Sequence, residues 1–139
     1  MHPVLTAAAM GFLLASGRLQ AQEPLRDEAQ IVVKAWTSHD AGGILAGSDS
    51  ILLNLPGADP AAPIGRQQAT ALIREYLDGT SEEALTLQAV RSTARDRGFA
   101  ELSRRFRPAS GSASRTETIL LGFRQETERW RLDELRVVR

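Results

Sequence analysis

The spacing of hydrophobic residues changes once along the chain, near residue 83. Before that point, apolar residues recur every three to four positions in two segments: Leu25, Ala29, Val32, Val33 and Trp36, then Ala69, Leu72, Ile73 and Tyr76. This is the spacing of a buried helix face, so the sequence predicts two amphipathic helices. Pro24 suits the first turn of the first helix, and we expect Gly42 and Gly43 to end it. The stretch that follows, residues 43–50, has room for a further short helical turn.

After residue 83, apolar and polar residues alternate, which is typical of half-buried β-strands. Four segments follow this rule: residues 84–90, 99–106, 115–126 and 129–138. A fifth strand is predicted at residues 51–57, where an apolar run stops at Pro56 and Gly57. Pro60 and Pro63 then indicate a loop that continues to Gly65.

The last two predicted strands are long for a chain of 139 residues. Residues 116–126 would extend roughly 36 Å if they were straight, so the strand has to bend. On the final strand, Trp130 and Leu132 share one parity, whereas Leu135 and Val137 share the other. We therefore expect a β-bulge near Asp133–Glu134. The prediction is an α+β domain in which a strongly curved antiparallel sheet wraps around two to three N-terminal helices.

The first 21 residues resemble a secretory signal peptide. Residues 4–15 are mostly apolar but too few to span a bilayer, and small residues lead to Ala21, the expected cleavage site. Ser16 and Gly17 are alternative sites, and an N-terminal amphipathic helix is the alternative structure. The organisation expected is a signal peptide over 1–21 and one domain over 22–139. The mature protein would be periplasmic or secreted, with no attachment to the membrane.

The order of these elements resembles the nuclear transport factor 2-like superfamily, which includes ketosteroid-isomerase-like and SnoaL-like proteins. The resemblance is carried by "SHDAGGILAGSDSILLNLPG", "IGRQQATALIREYL" and the closing "ERWRLDELRVV". Within the superfamily, the chain is similar to small exported bacterial proteins of unassigned function. The resemblance implies a cone-shaped, cystatin-like fold with a cavity at its open end. Its members include isomerases, dehydratases, cyclases and non-catalytic binding modules, so the fold does not select a function.

Composition excludes several classes of function. The chain has no cysteine, and His39 is the only histidine after residue 21, so a zinc site lacks ligands and no metal or other cofactor is expected. The formal net charge is zero, and no aromatic residues alternate with basic ones for base stacking, so nucleic acid is not an expected partner. His39 lies at the end of the first predicted helix, where a surface role is favoured over that of a general base.

Enzymes of the resembling superfamily place a carboxylate and a Tyr or His around the cavity. The matching candidates here are Tyr76, Asp49 and Glu101, and each also has an ordinary structural interpretation. Tyr76 lies on the apolar stripe of its helix, Asp49 lies in a turn sequence, and Glu101 has the parity of a solvent-facing residue. The sequence assigns a catalytic role to none of the three. If the cavity takes a small apolar ligand, we expect Trp36, Tyr76 and Phe123 to line it.

Basic residues are concentrated in the second half of the chain. Residues 22–90 contain 4 basic and 10 acidic residues, and residues 91–139 contain 12 basic and 7 acidic ones. Five arginines surround one predicted hairpin, and we expect them on its outer surface: Arg95, Arg97, Arg104, Arg105 and Arg107. Either they form ion pairs across the strands, or they bind an anionic envelope component or another acidic partner.

Apolar residues of both parities on the later strands indicate that the sheet is covered on its second face. Leu120 lies between Ile119 and Leu121, so one of the three points away from the helices. A homodimer that packs sheet against sheet would supply the cover. The preferred function is a non-catalytic binding or interaction module with a small apolar cavity. The alternative is a cofactor-free isomerase, dehydratase or cyclase that uses Tyr76 with Asp49 or Glu101.

Overall fold

The computed structural model describes residues 22–94, 96–111 and 113–139. The predicted signal peptide and Arg95 therefore lie outside the described residues. Within these residues the chain forms three helices: α1 over residues 22–37, α2 over Ala41–Ile44 and α3 over Arg66–Leu77. The apolar stripe of α1 is buried as its spacing predicts, at Leu25, Ala29, Val32 and Trp36.

The first helix ends earlier than its glycines suggested. His39 takes the left-handed conformation, with φ of 55°, and changes the direction of the chain between α1 and α2. Asp40 then caps α2 by accepting a 3.0 Å hydrogen bond from the Gly43 N–H. Gly42 and Gly43 therefore belong to α2 and do not terminate α1. A side chain at position 43 would collide with the capping carboxylate, because a Cβ there would lie 2.3 Å from Asp40 Oδ2.

In the part of the chain that the structure describes, six strands form one open sheet in the order β2-β1-β6-β5-β4-β3. Their bounds are β1 Ser50–Asn54, β2 Ile64–Gly65, β3 Ser81–Ala94, β4 Arg97–Arg107, β5 Arg115–Glu126 and β6 Arg129–Val138. The long strands β3 to β6 pair antiparallel in chain order, as predicted. Two features were not predicted: β2 lies inside the expected loop, and β1 pairs parallel with β6.

The predicted bulge is confirmed. Gly122 pairs with Glu134 and Phe123 pairs with Leu132, so Asp133 is the extra residue on β6. Three further irregularities interrupt the pairing of β3 with β4, between Glu82 and Ala84, between Leu87 and Ala89, and between Ser92 and Ala94. Bulges bend and twist the strands that contain them, which gives the long strands their curvature. The architecture is the predicted α+β one.

The helices cover one face of the sheet, and the main core lies between them and that face. Gly98 on β4 permits a close approach of α1 to the sheet. A Cβ at Gly98 would lie 2.6 Å from Leu25 Cδ2 and 3.2 Å from the Trp130 ring, so glycine lets the start of α1 pack directly on the sheet. The opposite face, called the outer face below, carries the alternate residues of β3 to β6.

Candidate functional site

The sequence candidate Tyr76 lies in the last turn of α3 with its side chain half-buried. Its hydroxyl donates a 2.6 Å hydrogen bond to Glu117 Oε2 on β5. Neither Asp49 nor Glu101 takes part in this contact. The structure therefore joins Tyr76 to a carboxylate, but to one that was not among the sequence candidates.

Glu117 belongs to a buried ionic group centred on Arg104 of β4. Arg104 Nη1 donates to Glu117 Oε1 at 2.7 Å, and its Nε donates to both oxygens of Glu82 at 3.0 and 2.9 Å. Arg104 Nη2 donates to Thr80 Oγ1 at 2.9 Å and also contacts Glu82. The side chains of Arg104 and Glu117 are fully buried. We call Tyr76, Thr80, Glu82, Arg104 and Glu117 the Arg104 cluster.

Three aromatic rings enclose the guanidinium of Arg104. Its Cζ lies 3.9 Å from the Phe106 ring centroid, 5.2 Å from that of Trp36 and 5.7 Å from that of Tyr76. These distances are within the range of cation–π attraction. Burial lowers the pKa of Arg104, but hydrogen bonds and charge interactions with Glu82 and Glu117 outweigh that effect and leave the pKa raised. The cation is therefore permanent, and two carboxylates share it.

The Arg104 cluster is poorly suited to proton transfer. Burial and the hydrogen bond to Glu117 raise the pKa of Tyr76 from 10.0 to about 12. The phenol therefore keeps its proton at neutral pH, far from the value that favours a general acid or base. Both oxygens of Glu117 already accept hydrogen bonds, and its side chain is fully buried. A substrate would have to displace Tyr76 or Arg104 to reach it.

His39 and Arg139 lie at the margin of the Arg104 cluster. His39 Nε2 is 3.1 Å from Glu82 Oε1, and Arg139 Nε is 3.8 Å from Glu117 Oε2. The cluster contains two carboxylates and one guanidinium, so both contacts place a basic group beside the excess negative charge. His39 links the end of α1 to β3 and is part of the scaffold in this arrangement.

The other two carboxylate candidates lie elsewhere on the surface. Asp49 is exposed and pairs with Arg131 at 2.8 Å. Glu101 is exposed on the outer face, on the parity opposite to that of the buried residues Ala100 and Leu102. Neither approaches Tyr76, so the sequence-based catalytic grouping is not assembled.

The expected arginine surface is divided among several environments. Placement of Arg104 on the surface is wrong, because its side chain is 0% exposed and its charge is satisfied inside the protein. Arg97 is partly buried and donates to Asp133 at 2.6 Å. Arg105 and Arg107 are exposed and share Glu83, at 3.4 and 3.5 Å. The described arginines of this hairpin therefore have acidic neighbours within the chain.

Two expected ligand contacts belong to the core. Trp36 is 0% exposed and packs near Arg104, and Phe123 is 1% exposed. Phe123 borders a cleft of about 440 Å³ between α1, the turn after α2 and the start of β6, whose rim is strongly charged. Trp36 and Tyr76 meet at the Arg104 cluster instead. The three residues expected to line one apolar cavity are therefore not brought together.

A cavity of about 580 Å³ forms a groove on the outer face. Its apolar lining includes Ala89, Phe99, Leu120 and Gly122, which come from three neighbouring strands. Gly122 has no side chain and Ala89 has a small one, so the surface is depressed beside the ring of Phe99. Phe99 is 37% exposed, and Val138 on the same face is 46% exposed. We call this depression the outer groove.

The strand register places the charged residues of the outer groove in two rows across the sheet. One row is Ala89, Glu101, Leu120 and Arg136; the next is Arg91, Phe99, Gly122 and Glu134. Arg136 pairs with Glu134 at 2.6 Å. Among the residues that the structure describes, no ion pair joins Arg91 or Glu101 to another side chain.

Nowhere in the described ranges do three or more His, Asp or Glu side chains form a group able to hold a metal ion. Within the same ranges, no helix has the length and hydrophobicity required to cross a bilayer.

The sequence contains a pattern that indicates burial of Arg104 and Glu117. Arg104 has the same parity as Leu102 and Phe106, and Glu117 has the same parity as Ile119 and Leu121. Both charged residues therefore lie in phase with buried apolar residues. Charged residues are usually exposed unless they are paired, so both were expected at the surface. Their pairing could not be predicted, because it depends on the register of three strands.

Comparisons with known proteins agree on the fold. No protein-family model and no curated protein matches this chain. A ketosteroid isomerase-like protein from Erwinia carotovora atroseptica superposes with a TM-score of 0.65 at 17% identity, over 81% of this chain and 90% of that one. A Nostoc punctiforme domain of unknown function with a cystatin-like fold gives 0.64 at 17% identity, over 83% and 74%. An NTF2-like protein of unknown function from Pseudomonas putida gives 0.58 at 18% identity, over 86% and 87%.

At these identities the comparisons establish the fold alone. The chain has the nuclear transport factor 2-like, cystatin-like architecture that its sequence resembles. This architecture occurs in proteins with unrelated activities, so the function has to be argued from this chain's own surfaces.

Proposed function

We propose that this protein is a non-catalytic binding module whose binding surface is the outer groove. The observation that carries the proposal is the apolar depression formed by Ala89, Phe99, Leu120 and Gly122 on an exposed sheet face. A volume of about 580 Å³ falls within the usual range of small-ligand sites, roughly 300–1,000 Å³. The groove therefore has room for an apolar group, either a small molecule or a side chain of another protein.

The interior supports a structural role better than a catalytic one. Trp36 and Phe123 pack in the core, and Tyr76 is held by Glu117. The preferred function keeps the binding role predicted from the sequence but moves the apolar site from the inside of the cone to the outer face. A periplasmic or secreted location remains part of the proposal and rests on residues 1–21.

A cofactor-free isomerase, dehydratase or cyclase is the second candidate. The 2.6 Å contact between Tyr76 and Glu117 favours it, because a phenol and a carboxylate meet near the end of α3. An enzyme of this kind would require Glu117 to exchange a proton with a substrate. Its two occupied oxygens and its burial argue against that step.

Binding of the uncharged dye Nile red tests the proposed function. A neutral dye reports apolar surface without responding to the arginines around the groove. Titrated into dilute protein, it should bind the wild type, and Ala89→Phe should weaken that binding about tenfold, equivalent to about 1.4 kcal/mol, because the new ring fills the groove. Ile31→Ala is the matched control, since it changes an exposed apolar residue on α1. Equal binding by wild type and Ala89→Phe would contradict the proposal.

A further inference from the structure

We infer that the outer groove binds a dipeptide of apolar residues, whose carboxylate contacts Arg91 and whose ammonium group contacts Glu101. This inference rests on the proposed function, because it names the class of ligand for the same groove. Three observations carry it: the pairing state of the charges at the groove, their spacing on the sheet and the shape of the surface between them.

The pairing state separates Arg91 and Glu101 from the other charges at the groove. Glu134 pairs with Arg136 at 2.6 Å and with Arg97 at 3.9 Å. Arg91 and Glu101 border the same groove, and neither forms an ion pair with another described side chain. The groove therefore presents one cation and one anion to a ligand. A ligand with a single charge would be attracted to one of the two and repelled by the other, whereas a zwitterion is attracted to both.

The spacing of the two residues sets the distance between the charges of the ligand. Arg91 is paired with Phe99 and Ala89 is paired with Glu101, so Arg91 and Glu101 are diagonal neighbours on β3 and β4. The Cα atoms of such neighbours lie about 7–8 Å apart. The two charges of a single amino acid are attached to one carbon atom and lie closer than this, whereas two extended residues reach about 7 Å. The termini of a dipeptide therefore match the spacing of Arg91 and Glu101.

The surface between the two charges is apolar. Ala89 and Phe99 occupy the other two corners of the four-residue group that contains Arg91 and Glu101, and Leu120 lies across from Glu101 on β5. Ala89 has a small side chain, so a depression lies beside the Phe99 ring, which is 37% exposed. Successive side chains of an extended peptide point to opposite sides, so one side chain of the dipeptide enters this depression while its termini contact the two charges.

An ion pair closes the groove on its other side. The side chains of Glu134 and Arg97 lie over Gly122, where a Cβ would be 2.9 Å from Glu134 Cβ and 3.3 Å from Arg97 Nη2. Both side chains are mostly buried, and Arg97 is also held by Asp133 at 2.6 Å. The groove therefore has a fixed polar wall at Gly122, and its open part lies beside Ala89, between the two charges that the ligand contacts.

Titration of leucyl-leucine into the protein, followed by heteronuclear NMR, tests the inference. Backbone signals of the residues that line the groove on β3 to β5 should shift. Blocking either end of the dipeptide, by N-acetylation or by C-terminal amidation, should weaken binding about fivefold, the upper end for an exposed ion pair. Arg91→Gln should abolish the effect of amidation and keep that of acetylation, and Glu101→Gln should do the reverse. Arg115→Gln is the matched control, because it removes an exposed arginine outside the groove.

The outcomes separate this inference from the proposed function. If blocking the termini had the same effect in the wild type and in both variants, the contacts assigned to Arg91 and Glu101 would be wrong. Free leucine that bound as tightly as leucyl-leucine would overturn the match of two residues to the spacing. A wild type that binds Nile red in the outer groove but shows no signal shifts with leucyl-leucine would overturn the dipeptide and leave the binding module intact. Equal binding of Nile red by wild type and Ala89→Phe would contradict the proposed function, and the inference with it.

Discussion

Tyr76 and Glu117 are joined by a 2.6 Å hydrogen bond between the last turn of α3 and the start of β5. This bond connects the helical layer to an ionic group inside the sheet, because the other oxygen of Glu117 accepts from Arg104. Removal of one member of such a group leaves its partners buried without compensation. The first three predictions follow from that arrangement.

Arg104→Met should destabilise the protein by about 3–5 kcal/mol, because Glu82 and Glu117 would lose the cation they share. Urea unfolding followed by tryptophan fluorescence gives the change. Arg105→Met is the matched control: the neighbouring side chain is 63% exposed, and its loss should cost less than about 0.5 kcal/mol. Similar losses for both variants would show that the buried cluster does not stabilise the fold.

Tyr76 should titrate with a midpoint near 12 in the folded protein, because its pKa is raised by burial and by the hydrogen bond to Glu117. It is the only tyrosine of the chain, so the absorbance of tyrosinate reports this residue alone. The same titration in concentrated urea supplies the unfolded reference, which should lie near 10. A folded midpoint indistinguishable from the unfolded one would show that Tyr76 is solvated.

The raised pKa of Tyr76 also predicts a dependence of stability on pH. Since the folded value of about 12 exceeds the ordinary value of 10.0, the unfolded chain releases this proton first as pH rises. The stabilising contribution is therefore complete below pH 10 and is lost between about pH 10 and 12. Tyr76→Phe should remove that part of the dependence when stability is measured by urea unfolding at several pH values. If the free energy of unfolding fell equally above pH 10 in both proteins, other titrating groups would be responsible for the decline.

Gly98→Ala should destabilise the fold by about 1–3 kcal/mol, because the added methyl group would lie 2.6 Å from Leu25 Cδ2. The double variant Gly98→Ala/Leu25→Ala should lose less free energy of unfolding than the two single variants together, because the smaller side chain at position 25 leaves space for the added methyl group. Gly47→Ala is the control, because a Cβ there would have no neighbour within 4 Å. If the two losses of free energy were strictly additive, Leu25 of α1 would not be in close contact with Gly98 of β4.

Local sequence patterns predicted most of the fold. The change of parity between Leu132 and Leu135 predicted a bulge near Asp133–Glu134, because a strand with one buried face can change parity only by inserting a residue, and the extra residue is Asp133. The parallel pairing of β1 with β6 was not accessible, since it joins segments about 80 residues apart. No local spacing encodes that contact.

The Arg104 cluster shows why the site was harder to predict than the fold. Tyr76 was identified from its helical position, but its partner was not, because Glu117 meets Arg104 only when β4 and β5 are in register. His39 was expected at a helix end and is found there, yet its contact with Glu82 spans 43 positions in the chain. Pairing between distant strands decides which charged residues can be buried.

The location of the apolar binding surface is the central claim, and photolabelling with an uncharged phenyl diazirine tests it most directly. Peptide mapping by mass spectrometry should place the label on β3 to β5, around Ala89, Phe99 and Leu120, and Ala89→Phe should abolish it there. Label concentrated on Phe123 and Trp130, in the cleft between α1 and β6, would contradict the account and return the binding site to the interior of the cone.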